Sequence, residues 1–239
     1  GFSSGAAQLL PMLRAFGISC RVLPGLSSVQ LLAAAVGRSW QEWAVVSAHG
    51  LNCDPVGEVL SAHGKPVFFL TSGSEGAGSL CERLSQAGLG HLSATVGQSL
   101  SYPQEEILSD SVSHFAGRAF APLTVLLVEG YTSCRPAGSQ GLADELFLRG
   151  DVPMTKQEVR AAAIGKLAVR DGETYWDVGA GTGSVSVELA LLAPHSKVCA
   201  VEYKGEACSL IRANREKFGV YNLELTQGRI YIRNIADME

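Results

Sequence analysis

The six cysteines of this sequence (Cys20, Cys53, Cys81, Cys134, Cys199 and Cys208) include no C-x-x-C pair, and the five histidines are scattered. That absence removes the signature of a disulfide framework and of a zinc site, so no metal is expected and a reducing cytoplasm is the default setting. A strong excess of charge of either sign is missing too. Nineteen basic residues against 23 acidic ones leave a formal charge of −4, with none of the footprint of a nucleic-acid binder. No apolar run is long enough to span a bilayer, and no signal peptide can be read. What remains is a 239-residue chain, 46% hydrophobic, that can bury one or two cores.

The chemistry concentrates in one stretch, Trp176-Asp177-Val178-Gly179-Ala180-Gly181-Thr182-Gly183-Ser184. It follows the short apolar run Thr174–Trp176 and opens onto Val185–Leu192, which reads as strand, glycine turn, helix. Alternate glycines let the backbone turn tightly and approach a ligand without an intervening side chain. The helix that follows points unpaired amides and a positive dipole end at the turn. The order D-V-G-A-G-T-G differs from the G-x-G-x-x-G of dinucleotide folds. A second apolar strand, Lys197–Val201, ends in Glu202, one strand–helix–strand unit beyond Asp177. An acid there can take both hydroxyls of a ribose. The pattern resembles the first motif of the S-adenosylmethionine-dependent methyltransferases with a Rossmann-like sheet. That resemblance makes Asp177, Gly179, Gly181, Thr182, Gly183 and Glu202 candidate cofactor residues, and the strands 174–177, 198–202 and 223–226 are expected to be parallel neighbours.

The chain divides at 132–145, a small, polar, turn-rich stretch read as a linker between residues 1–131 and 146–239. The first half is α/β of another kind. Helices are expected over 6–16 and 29–36, the second capped by Ser27-Ser28, and a further one running to about Ala87. Strands are expected over 19–23, 44–47, 66–70, 91–96 and 123–128, the last of them central.

Several segments then carry a more specific resemblance. Leu23-Pro24-Gly25-Leu26-Ser27-Ser28-Val29-Gln30 resembles the P-G-x-S-S-x-Q loop of the tetrapyrrole methylases, and Gly1-Phe2-Ser3-Ser4 the tail of a G-D-P-x-F-x-S motif. Val46–Gly50, Leu70–Glu75 and Leu100–Ile107 are similar to the subgroup acting at carbon 5 of a corrin precursor. Asp144–Phe147 and Pro153–Arg160 resemble the partner that methylates carbon 15 and decarboxylates. A fusion in this order resembles the C(5,15)-methyltransferase (decarboxylating) family of cobalamin biosynthesis.

The resemblance implies an α/β chain: a truncated tetrapyrrole-methylase-like domain, then a truncated Rossmann-like class I methyltransferase domain, both using S-adenosyl-L-methionine. It implies a tetrapyrrole substrate, no nucleic acid or membrane partner, a cytoplasmic location and a homo-oligomeric full-length protein. Ser27, Ser28, Thr71 and Gly73 become candidate cofactor residues of the first domain. Thr155 is expected to cap a helix and to reach the second cofactor. Lys156 and Arg160, four apart on one helix, and His49 are candidates for the substrate's carboxylates. Trp176, Phe68, Phe69 and Cys199 read as core. Gln98 and Gln227–Ile232 depart from the family pattern. Two alternatives stay open: a catalytically incompetent fragment acting as a binding scaffold, and a generic small-molecule methyltransferase.

Overall fold

The computed structural model describes residues 4–23, 25–48, 53–72, 76–132 and 140–230, with backbone alone for 4–8. The candidates His49 and Gly73, and residues 133–139 of the expected linker, lie outside the described residues.

The first domain is a five-stranded sheet built from β1 (Ala44–Ser47), β2 (Val67–Leu70), β3 (Ser93–Gln98), β4 (Glu106–Ser111) and β5 (Thr124–Glu129), in the order β1-β2-β5-β3-β4. Only β1 and β2 are parallel; the other pairs are antiparallel. The apolar run at 123–128 does form the central strand, as its composition predicts. Side chains alternate across the strands. Val67, Phe69, Leu126 and Val128 face α3 (Pro55–Ser61), α4 (Ala77–Leu84) and α5 (Val112–Phe115), while Phe68, Val125 and Leu127 face α2 (Ser28–Ala35) and Trp43. The Phe68-Phe69 pair therefore fills both cores. α2 begins at a capping box: the Gln30 Oε1 accepts the Ser27 backbone N–H at 2.9 Å.

One expectation fails here, and one strand was not foreseen. Residues 19–23 form no strand; they are exposed and have no strand partner among the described residues. β4 was not legible as a strand because it lies at the sheet's edge, paired only with β3, and carries Glu106, Asp110 and two serines. α1 (Ser4–Ala15) precedes this domain with Leu9 and Met12 exposed.

The second domain carries three parallel strands, β6 (Thr174–Val178), β7 (Lys197–Glu202) and β8 (Leu223–Gln227), in sequence order. α6 (Gln157–Leu167), α7 (Ser184–Leu192) and α8 (Gly205–Phe218) supply Ile164, Val187, Ile211 and Phe218 to one core, on the face of Tyr175, Val198 and Ala200. Trp176 points to the other face and is 56% exposed, so it is not core; Cys199, opposite it on β7, is buried. Leu142 and Phe147 belong to the second core, so residues from 141 onward are part of this domain and not a linker.

The two domains touch at the amino ends of β7 and β8. The Tyr131 hydroxyl donates to the Gly219 carbonyl at 3.0 Å, Arg215 donates to the Ala87 carbonyl at 2.6 Å, and Tyr221 packs on the first domain's core. His195 lies 3.6 Å from Asp54. The glycine turn lies at the opposite, carboxyl end of the same strands, where sheets of this kind bind ligands.

Candidate functional site

β6 ends at Asp177-Val178 and the chain turns through Gly179, Gly181 and Gly183, at φ of +79°, +56° and +77°, into α7. L side chains rarely adopt such angles. The three glycines are not equivalent. A Cβ on Gly183 would meet Ile211 of α8 at 3.0 Å, and one on Gly181 would meet the Pro153 carbonyl oxygen at 3.3 Å. One on Gly179 would meet nothing within 4 Å among the described residues. Gly183 thus serves close packing, Gly181 lies against residues 149–156, and Gly179 borders open space, where a ligand can approach the backbone. The turn is pinned to β7 by two N–H donors, Gly179 and Ala180, on the Val201 carbonyl.

Glu202 ties this corner together. Its Oε2 accepts the Gly181 N–H at 3.0 Å, and its Oε1 accepts the N–H groups of Tyr203 and Lys204 at 2.8 and 2.9 Å. Its own carbonyl accepts the Gly228 N–H. Burial raises its carboxyl pKa, but the backbone donors of Lys204, Gly181 and Tyr203 outweigh burial and hold it below the usual carboxylate range. The carboxylate offers about four acceptor positions, of which these donors take three. A ribose hydroxyl can use the fourth, or displace a backbone donor.

Asp177 is the opposite case. Burial pushes its carboxyl above the ordinary range, and the Glu202 charge adds to this, against the hydroxyl and N–H of Ser186; the hydroxyl lies at 2.5 Å. A raised folded-state pKa means that Asp177 favours the fold fully only below its unfolded value, about 3.9, and that this contribution is lost as pH rises through the folded value. Asp177→Asn keeps an acceptor for Ser186 and removes the charge. It is expected to melt higher than the wild type near neutral pH, with the advantage vanishing below about pH 4. Thermal melts across that range check this; a variant melting lower than the wild type at neutral pH contradicts it.

Residues 141–156 wrap the outer side of the turn. Asp144–Leu146 form one 3-10 turn, and the rest is irregular up to Lys156. Lys156, not Thr155, is the N-cap of α6. Thr155 is exposed beside the turn, its carbonyl accepting from Arg160 at 2.5 Å. Arg160 is not a surface cation. It is wholly buried, its Nε 2.5 Å from Glu188 Oε1, its other nitrogens on Asp144 Oδ1 and on the carbonyls of Leu142 and Thr155, and its guanidinium 4.7 Å from the Phe147 ring centre. A buried, fully engaged guanidinium cannot line a substrate pocket, which corrects the expectation for Arg160. Lys156 remains exposed, 3.5 Å from Asp144. Thr182 is 1% exposed and its hydroxyl has no hydrogen-bond partner among the described residues, so only its backbone borders the turn's surface.

In the first domain, Thr71 and Ser72 at the end of β2, the start of α4, and Arg118 to Pro122 line a cavity of about 430 Å³. The Thr71 hydroxyl donates to the Thr124 carbonyl at 2.5 Å. Gly78 is obligatory there, because a Cβ would fall 1.9 Å from the Arg118 carbonyl oxygen. Ser27 and Ser28 begin α2 and do not line this cavity. Gln98 bridges Glu106 and the Ala121 N–H.

Sequence reasoning missed Glu188, Asn214 and Ser186. Glu188 had a signal: it is the one acid in the apolar run Val185–Leu192. A charged residue among apolar neighbours on a buried helix calls for a buried partner.

Residues 1–116 match the family described as Tetrapyrrole (Corrin/Porphyrin) Methylases, and residues 146–236 match the Precorrin methyltransferase domain. A precorrin-6Y C(5,15)-methyltransferase (decarboxylating) from Sinorhizobium sp is 32% identical over 210 residues, 87% of this chain and 51% of that protein. A probable cobalt-precorrin-6B C(15)-methyltransferase (decarboxylating) from Pyrobaculum calidifontis is 54% identical over 87 residues, 36% of this chain and 45% of that protein. A solved precorrin-6y C5,15-methyltransferase from Geobacter metallireducens GS-15 shares 34% identity over 42% of this chain and 52% of that one, at a TM-score of 0.38. The chain spans about half the length of the relatives it matches.

Proposed function

Because the chain carries a tetrapyrrole methylase domain in its first half and a precorrin methyltransferase domain in its second, we propose that it belongs to an enzyme that methylates a corrin precursor at carbons 5 and 15, with loss of a carboxylate as carbon dioxide, in cobalamin biosynthesis. The observation that carries the reading is the corner at Gly179–Gly183 and Glu202. An open glycine backbone, a helix start and a buried ionised acid stand together at the carboxyl ends of parallel strands. Those groups suit S-adenosyl-L-methionine: the acid for the ribose, the helix start for a carboxylate.

When bound, the cofactor supplies an activated methyl group. The work left to the chain is binding, orientation and exclusion of water. Glu202 and the glycine turn hold the donor, and residues 149–156 wall it from one side. Lys156, exposed at the end of this wall, meets a substrate carboxylate by exchanging its Asp144 partner. In the first domain the cavity at Thr71 and Arg118 is the proposed place of a separate methyl transfer.

Glu202→Ala tests the reading. It strips the Gly181, Tyr203 and Lys204 amides of their acceptor and removes the ribose partner. Cofactor affinity is expected to fall by about 1.5–3 kcal/mol, the scale of hydrogen bonds to a charged group. Titration calorimetry with S-adenosylhomocysteine on the folded chain reads this, and unchanged affinity would falsify the assignment.

A further inference from the structure

We propose that Asn214 of α8 is a positioning residue for the second cofactor site: it fixes the gap between the glycine turn and the wall made by residues 141–156. This rests on the reading of Gly179–Gly183 as the cofactor turn. Asn214 is wholly buried, 66 residues from Leu148 in sequence. Its Oδ1 accepts the Leu148 N–H at 2.8 Å, and its Nδ2 donates to the Leu148 carbonyl at 2.8 Å and to the Thr182 carbonyl at 3.0 Å. The amide thus serves Leu148 as a neighbouring strand would, and with its remaining donor it grips the turn itself. Its orientation is fixed by those partners. A flipped amide would set its NH2 against the Leu148 N–H and its oxygen against two carbonyls.

The wall is anchored independently at its amino end. Glu188, 1% exposed, accepts the N–H groups of Gly141 and Leu142 at 2.8 and 3.0 Å. Between the two anchors and α6, the wall's backbone reaches the turn at Pro153, whose carbonyl oxygen would lie 3.3 Å from a Gly181 Cβ. Apolar packing could have closed α8 on this segment with no directional bond. An amide shared between Leu148 and Thr182 instead sets a spacing, and ligand slots built from two separate segments need their spacing fixed before the ligand arrives.

Hydrogen exchange and calorimetry with S-adenosylhomocysteine on the whole 239-residue chain test the proposal. In the unliganded wild type, the Gly141, Leu142 and Leu148 amides should be protected, since the wall is already set; exchange at the rate of an open loop overturns the proposal whatever any variant does. In Asn214→Ala, exchange at Leu148 should quicken while β7 stays protected, and ligand affinity should fall about ten-fold or more. A folded Asn214→Ala variant that loosens Leu148 yet binds as the wild type does overturns the positioning role. If Asn214→Ala does not fold, Glu188→Gln keeps its one oxygen for Leu142 and Arg160 and sets its NH2 against the Gly141 N–H, loosening the same wall from its other anchor; unchanged affinity there overturns the proposal as well. Absence of binding by the wild type overturns the reading of the site itself, and so is distinct from these outcomes.

Discussion

Gly181→Val is expected to weaken cofactor uptake at the second site by about a hundred-fold or more, roughly 2.7 kcal/mol, with the first domain's sheet intact. Three effects converge on this residue. Its φ of +56° lies where a β-branched side chain is a genuine outlier. A Cβ there sits 3.3 Å from the Pro153 carbonyl oxygen, and the two methyl groups of valine crowd further against the wall. The Gly181 N–H is also one of the three donors on Glu202, so a shift of the turn releases the acid proposed to hold the ribose. Calorimetry with S-adenosylhomocysteine reads the affinity, and hydrogen exchange in β2, β3 and β5 reads the first domain. On the proposed function, mass spectrometry of the product made by the full-length Gly181→Val protein should find one methyl group fewer than with the wild type. A folded Gly181→Val protein that binds within about three-fold of the wild type would show that the wall and the turn move apart freely, against the reading of a preset slot.

The same turn shows what a sequence makes legible. The β6–turn–α7–β7 unit is local: apolar runs, alternate glycines and strand-end acids lie within 29 residues, from Thr174 to Glu202, and each is dictated by its neighbours in the chain. The capping box of α2 is local as well. The roles inside the turn are not. That Gly183 faces Ile211, Gly181 faces Pro153 and Gly179 faces open space depends on which distant segment packs where. Glu202 was legible as an acid at a strand end, but its three backbone partners depend on how the β7–α8 loop closes. Trp176 misled because an aromatic residue in a strand usually packs, whereas α6, α7 and α8 all lie on the Tyr175 face of this sheet. Arg160 misled for a related reason. Periodicity put it beside Lys156 on one helix, but its partners Asp144 and Glu188 stand 16 and 28 residues away, and only the fold brings them together.

Arg160 therefore gives the sharpest test of fold against sequence pattern. A surface arginine that awaits a substrate carboxylate can be removed with little loss of stability, within about 0.5 kcal/mol. A buried one cannot. Arg160→Ala leaves the Glu188 carboxylate, 1% exposed, without its cation, and strips the Leu142 and Thr155 carbonyls of their donor. Removing one partner of a buried ion pair costs about 3–5 kcal/mol, a large share of a domain's total stability. Such pairs are often replaceable when both charges go, because the desolvation cost goes with them. Here the double replacement Arg160→Met with Glu188→Leu should recover only part of the loss. Glu188 also serves the Gly141 and Leu142 amides, and leaving those buried N–H groups unmet carries its own cost of about 1–3 kcal/mol. Urea unfolding of the second domain, followed at its tryptophan, separates the cases. A large drop in midpoint at unchanged slope for Arg160→Ala, partly restored in the double variant, is the expected result. A drop of under about 1 kcal/mol for Arg160→Ala would mean that the guanidinium is free to serve a ligand after all.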